Sequence, residues 1–168
     1  MKKLIFAAFA VLMLAAGCTV KYSLSGASIP PDAKTFSVAY FPNNAPMVAP
    51  ALSALITDEL TQRFANRTRL VQVPEGGDFA FEGEIVGYTS TTSSVSSGDF
   101  ALQNRLTITV KVNFTNLIDD KMSFRARNFS AYADYDSTKL LTEVEGELMA
   151  EIVEQLVTDI FQASASNW

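Results

Sequence analysis

From Arg105 to Phe114 the chain alternates without interruption. Leu106, Ile108, Val110, Val112 and Phe114 are apolar, while Arg105, Thr107, Thr109, Lys111 and Asn113 are polar. Successive side chains of a strand point to opposite faces, so this stretch must be a strand with one face buried and one wet. A second layer has to cover the apolar face, and the rest of the chain can be read for what supplies it. Leu117 to Lys121 has the composition of a turn, and Met122, Phe124 and Ala126 resume the alternation against Ser123, Arg125 and Arg127, which predicts a hairpin. Beyond Asn128 the phase slips to Phe129 and Tyr132, predicting a bulge. Ala133 to Ser137 then leads into a helix, with Asp136 and Ser137 as caps.

Two segments carry the helical period. Leu52, Leu55, Ile56, Leu60 and Phe64 recur at three- and four-residue steps after Pro50, giving a helix to about Asn66. Leu141, Val144, Leu148, Ile152, Leu156 and Ile160 form a longer stripe, widened by Met149, Val153, Val157 and Phe161. Glu143, Glu145 and Glu147 sit near its start, where the helix dipole favours negative charge. Further strands are predicted at Thr35–Phe41, with Phe36, Val38 and Tyr40 on one side, and at Leu70–Val73. Phe79–Tyr88 is another, broken by Gly83 and Gly87, with Phe81 and Ile85 inward. Pro42 to Pro46 and Pro74 to Asp78 are turns, and Thr89 to Gly98, all Ser, Thr, Val and Gly, reads as a mobile loop. The fold class expected is α+β: a two-layer sandwich, with a mixed sheet of about four strands and two helices on one face, in the order β-α-β-β-β-α. A right-handed helical crossover should follow the first strand.

The first residues read as an export signal. Lys2 and Lys3 precede an apolar run from Leu4 to Leu14, then the small residues Ala15, Ala16 and Gly17, then Cys18. The run is shorter than the roughly 20 residues a membrane-spanning helix needs. A small-small-Cys ending resembles the bacterial lipobox, in which lipid is added to the cysteine thiol before cleavage, although Ala15 replaces the more usual leucine. The plainer alternative is an ordinary secretory signal followed by an accidental cysteine. The lipobox reading divides the chain into a signal peptide (1–17), a lipidated N-terminus and tether (18–34) rich in Ser, Gly and Pro, and one domain (35–168). Thr19, Val20 and Lys21 lack an acidic run resembling surface-export signals, which favours a domain facing the periplasm.

Composition removes whole classes of function. Loss of Lys2 and Lys3 takes the formal charge from −5 to −7, and so acidic a domain does not suit nucleic-acid binding. Histidine is absent and Cys18 is the only cysteine, so His-based catalysis and disulfides are out of reach, and no metal or cofactor site is expected. No Ser-x-x-Lys motif or phosphate-cradling glycine loop is present. The chain therefore reads as no enzyme.

Three segments carry a family resemblance: Tyr40-Phe41-Pro42-Asn43-Asn44-Ala45, Asn104 through Val112, and Ala133-Asp134-Tyr135-Asp136-Ser137. In their order they resemble the LptE family of lipopolysaccharide-assembly lipoproteins, in its Bacteroidetes branch, over the whole mature chain including the closing Asn167-Trp168. The resemblance implies a lipid-anchored outer-membrane protein that partners the β-barrel LptD, plugs its lumen and helps pass lipopolysaccharide to the surface. On that reading Arg105, Lys111, Arg125 and Arg127 are candidate contacts to the barrel or to glycolipid phosphates. The bland alternative is a solvated strand face. The Tyr40–Pro46 loop either docks a partner or merely ends a strand, and Trp168 either packs or anchors an interface. A general envelope lipoprotein serving another outer-membrane machine is the competing function, with an envelope hydrolase behind it.

Overall fold

The structure is a computed structural model and describes residues 29–47, 49–93 and 103–166. Cys18, the signal segment, most of the tether and Trp168 lie outside those residues. The elements are β1 (Thr35–Val38), α1 (Leu52–Arg67), β2 (Val71–Gln72), β3 (Phe79–Ser93), β4 (Gln103–Asn116), a 3-10 turn (Asp120–Met122), β5 (Phe124–Asp136) and α2 (Leu141–Ala165). The α+β class is as expected, and the sheet has five strands rather than about four, in the order β2-β1-β3-β4-β5. β1 runs parallel to both β2 and β3, while β3, β4 and β5 form an antiparallel meander.

Both helices cover one face. Leu52, Ile56, Leu60 and Phe64 of α1 and Leu148, Met149, Ile152, Val153, Leu156, Val157, Ile160 and Phe161 of α2 are buried against the sheet. The predicted inward row of β4, Leu106 to Phe114, is wholly buried. Phe64 sits at the centre, 4.7 Å from Phe81 and 5.0 Å from Phe161, and Phe81 stacks on Phe114 at 4.8 Å. Aromatic pairs at such separations add roughly 0.5–1.5 kcal/mol beyond their area burial.

Several expectations change in detail. β3 does not end at Tyr88: it runs through Ser93 and pairs with β4 as far as Ser93 opposite Gln103. The Ser/Thr run read as a loop is half strand, because β-branched threonines favour a pleated surface and here face the wet side; residues 94–102 lie outside the described part. Gly83 and Gly87 do not break β3 either. A register shift falls between Ile85 and Gly87, and Gly83 leaves a hollow that the Phe41 ring occupies. The phase slip in β5 comes earlier than predicted. Arg125 and Ala126 together oppose Asn113, Ala126 takes a positive φ of 50°, and its N–H donates to Asn113 Oδ1 at 2.7 Å. The inward set is consequently Phe129, Ala131, Ala133 and Tyr135, and Tyr132 points out.

At the other end of β5, Asp136 does not cap α2. Its carboxylate accepts from the N–H and hydroxyl of Thr138 in the turn before the helix. The helix is closed instead by Glu143, which accepts the Leu140 N–H at 3.1 Å. Glu145, one residue pair further on, accepts from the Tyr88 hydroxyl and clamps the start of α2 to β3.

Candidate partner interface

The face of the sheet away from the helices is built by the alternate residues of β3, β4 and β5. Cross-strand pairing sets its rows: Glu84, Lys111 and Asn128; Gly87, Thr109 and Ser130; Thr89, Thr107 and Tyr132; Thr91, Arg105 and Asp134. Directly opposed side chains in antiparallel strands are close enough to bond, and three of these pairs do. Arg105 grips Asp134 with two hydrogen bonds, Nε to Oδ1 at 2.7 Å and an Nη to Oδ2 at 2.9 Å, and its guanidinium lies 3.7 Å over the Tyr132 ring. Lys111 pairs with Glu84, whose other oxygen accepts from Asn44 Nδ2 at 2.7 Å. Thr109 and Ser130 share a hydrogen bond of 3.0 Å.

These contacts set the charge of the face. The Arg105 guanidinium holds the Asp134 carboxyl below the usual carboxylate range and is itself raised by it. The Lys111 ammonium, with Asn44 second, lowers Glu84 in the same way. Both β4 cations are thus neutralised by a carboxylate at their side. An anion arriving at Arg105 or Lys111 meets Asp134 or Glu84 first, so the centre of the face is a mosaic of paired charges and hydroxyls rather than a phosphate trap.

The other two predicted cations lie elsewhere. Arg125 sits in the bulge and is exposed. Arg127 pairs with Val112, whose side chain faces the helices, so Arg127 belongs to the helix side and not with Arg105 as the pattern implied. It lies 5.1 Å from the Phe129 ring and 5.4 Å from the Phe124 ring and lines an open cleft of about 520 Å³ with Met122, Asp159 and Gln162. Only the register of the bulge could have revealed this, because strict alternation puts Arg125 and Arg127 on one side. Asp134, Glu84 and Asn44 were missed as members of the face; the cross-strand partner of a cation is not legible without the register.

Asn44 comes from the Tyr40–Ala45 segment, which leaves β1 and returns to β3. Asn44 N–H donates to the Ile85 carbonyl at 2.9 Å, and Ile85 N–H donates to the Pro42 carbonyl at 2.9 Å. Phe41 is buried in the Gly83 hollow, its N–H held by Thr57 Oγ1 at 3.2 Å, and Tyr40 is exposed. The segment is therefore a fixed part of the sheet that delivers Asn44 to Glu84. Among the described residues no cluster of His, Cys, Asp and Glu suits a metal ion, and no helix is long and apolar enough to cross a membrane.

The family model described as LptE, lipopolysaccharide-assembly, matches residues 33–164. The chain belongs to the LptE family. That match spans every element from the start of β1 to the last turn of α2, so the fold described above is the LptE domain, and it places the chain among non-enzymatic envelope lipoproteins of lipopolysaccharide assembly. No curated protein sequence matches. Among solved structures the chain is similar to a hypothetical protein of Chlamydia trachomatis, with 10% identity over 80% of this chain and 99% of that one and a TM-score of 0.54. It is also similar to a protein of Xanthomonas campestris, with 11% identity over 82% and 88% and a TM-score of 0.50. At such identities these two likenesses speak for the fold alone.

Proposed function

We propose that this LptE-family protein is an outer-membrane lipoprotein, anchored through acyl chains on Cys18 and facing the periplasm, that partners an LptD-type β-barrel in the assembly and delivery of lipopolysaccharide. The match to the family over residues 33–164 carries the proposal. The open face of the sheet supports the barrel partnership. Barrel interiors are polar, and a plug meets them best through hydroxyls and neutralised charges, which is what Thr107, Thr109, Ser130 and the Arg105–Asp134 and Lys111–Glu84 pairs present. In this reading Arg105 and Lys111 contact the barrel wall, while Arg125 and Arg127, which have no carboxylate within ion-pair distance among the described residues, are the cations left for glycolipid phosphates.

The test is depletion in the native host with affinity purification through a C-terminal tag. Copurification of one large LptD-like barrel, with lipopolysaccharide lost from the surface on depletion, is the expected result. Another barrel, or none, with normal surface glycolipid would replace this reading with that of a general envelope lipoprotein.

A further inference from the structure

We propose that the end of the domain where the chain enters carries an apolar rim, centred on Leu117 and Ile118, that rests in the surface of the same bilayer as the Cys18 anchor; the proposal rests on the lipoprotein reading above. Leu117 and Ile118 lie in the β4–β5 turn, 64% and 40% exposed. Nothing in the turn requires apolar side chains there. Its geometry is made by polar groups: Asn116 Oδ1 accepts the Ile118 and Asp119 N–H groups at 2.9 and 3.0 Å, and Asp119 accepts from Lys121 N–H. Two adjacent aliphatic residues at the tip of such a turn are surplus to folding.

Their position gives them a partner. Leu117 N–H donates to the Asp78 carbonyl at 2.9 Å, and the Asp78 carboxylate takes the N–H groups of Lys34 and Thr35 at 2.8 and 2.9 Å. Thr35 in turn pairs with Val71, also 64% exposed. Val71, Thr35, Asp78 and Leu117 thus form one row along the end of the sheet, roughly 14 Å across at the ~4.8 Å spacing of strands. The chain arrives at this same row: Arg69 holds the Pro30 and Ile29 carbonyls, and Pro30 lines a small cavity with Asn116, Asp119 and Met122. Ten residues, 19 to 28, separate Cys18 from Ile29. Fully extended they reach about 35 Å at most, so the anchored domain cannot move far from the bilayer, and this end is the one at which the tether joins it.

Charge selects the kind of surface. The exposed groups around the rim are Lys34, Arg69 and Lys121 against Asp32, Asp119 and Asp120. The balance is even, so the fit is to a zwitterionic phospholipid surface and not to a strongly anionic one. Apolar side chains settle there by entering the boundary between headgroups and acyl chains, about 5–10 Å deep.

The experiment uses the full acylated chain. Acylation consumes the Cys18 thiol, so Leu117→Cys supplies the single free thiol for an environment-sensitive fluorophore, and Leu140→Cys, exposed at the far end of the sheet, is the matched control. Both are reconstituted in phosphatidylethanolamine and phosphatidylcholine vesicles carrying shallow nitroxide lipids. Strong quenching at position 117 with none at 140 is expected. Equal quenching at both sites, or at neither, would overturn the proposal. A blue shift at 117 that is already present without vesicles would also overturn it, because a protein surface or a second copy would then be covering the rim. A chain whose mass shows no acyl groups would instead overturn the lipoprotein reading, and this inference with it.

Discussion

Replacing Gly83 with alanine tests whether the loop bearing Asn44 is seated by the hollow in β3. A Cβ built at position 83 would lie 2.4 Å from Phe41 Cε1 and 2.6 Å from the Lys111 carbonyl oxygen, where ordinary contacts begin near 3.4 Å. The ring can retreat only by leaving the core, and the carbonyl belongs to the backbone of β4, an interior strand paired on both sides, so neither neighbour yields cheaply. Overpacking of this kind costs about 1–3 kcal/mol, and the backbone clash argues for the upper part of that range. For a domain of this size the loss corresponds to a Tm lowered by roughly 3 °C per kcal/mol. Gly146→Ala is the internal control, since its Cβ meets nothing within 4 Å and the position lies inside α2. It should stabilise by up to about 1 kcal/mol through helix propensity. Thermal melts followed by circular dichroism read both variants. Truncating Phe41 in the Gly83→Ala background should not restore stability, because the Lys111 carbonyl remains in place. If Gly83→Ala melts with the parent protein, the hollow is not a constraint and the account of how Asn44 reaches Glu84 fails.

Three more outcomes follow from the packing and the ionisations. Phe81→Ala, which removes two aromatic contacts, should lose about 3–5 kcal/mol in a denaturant titration, and a loss under 1 kcal/mol would move the centre of the core elsewhere. Asp78 is held below its ordinary value, first by the Lys34 N–H and then by Thr35, so its contribution is present above about pH 4 and disappears as pH falls through the lowered value. Asp78→Asn should therefore flatten the fall in Tm below pH 4, and an unchanged acid limb would refute that assignment. Burial, then the Glu145 carboxylate, push the Tyr88 hydroxyl well above the usual tyrosine range. Its contribution is whole below pH 10 and is lost as the unfolded chain ionises above it, so Tyr88→Phe should melt with a shallower alkaline decline, and ultraviolet titration of the folded parent should show a late-ionising tyrosine that the variant lacks.

Where a pattern is set by burial, the sequence and the structure agree closely. The β4 alternation, the α1 stripe and the α2 stripe all depend on apolar side chains meeting one core, and each faces that core as spaced, with Leu55, Leu141 and Val144 only partly buried at its margin. Where a pattern depends on pairing, agreement stops. Arg127 was placed beside Arg105 because nothing local marks Ala126 as the residue that flips the phase; the bulge exists through its bond to Asn113 on another strand. Thr89 to Ser93 has the composition of a loop and becomes strand through the partner that β4 supplies. The candidate cations were legible as residues, but their neutralisation by Asp134 and Glu84 was not, since each ion pair joins strands whose register only the folded sheet defines.

The first strand of the chain is an interior strand of the sheet. β1 lies between β2 and β3, bonded to both, with Val71 and Val73 N–H groups donating to the Lys34 and Phe36 carbonyls and Ala39 N–H donating to Phe81. A pull on the chain ahead of Ile29 is therefore directed along β1 and loads both of its ladders in shear, together with the Asp78 clasp on Lys34 and Thr35, instead of peeling an edge one bond at a time. Force applied from the N-terminus is shared among several bonds at once. Force applied to β5, an edge strand, would be borne by each bond in turn, so the domain is mechanically stronger when loaded from its N-terminal side.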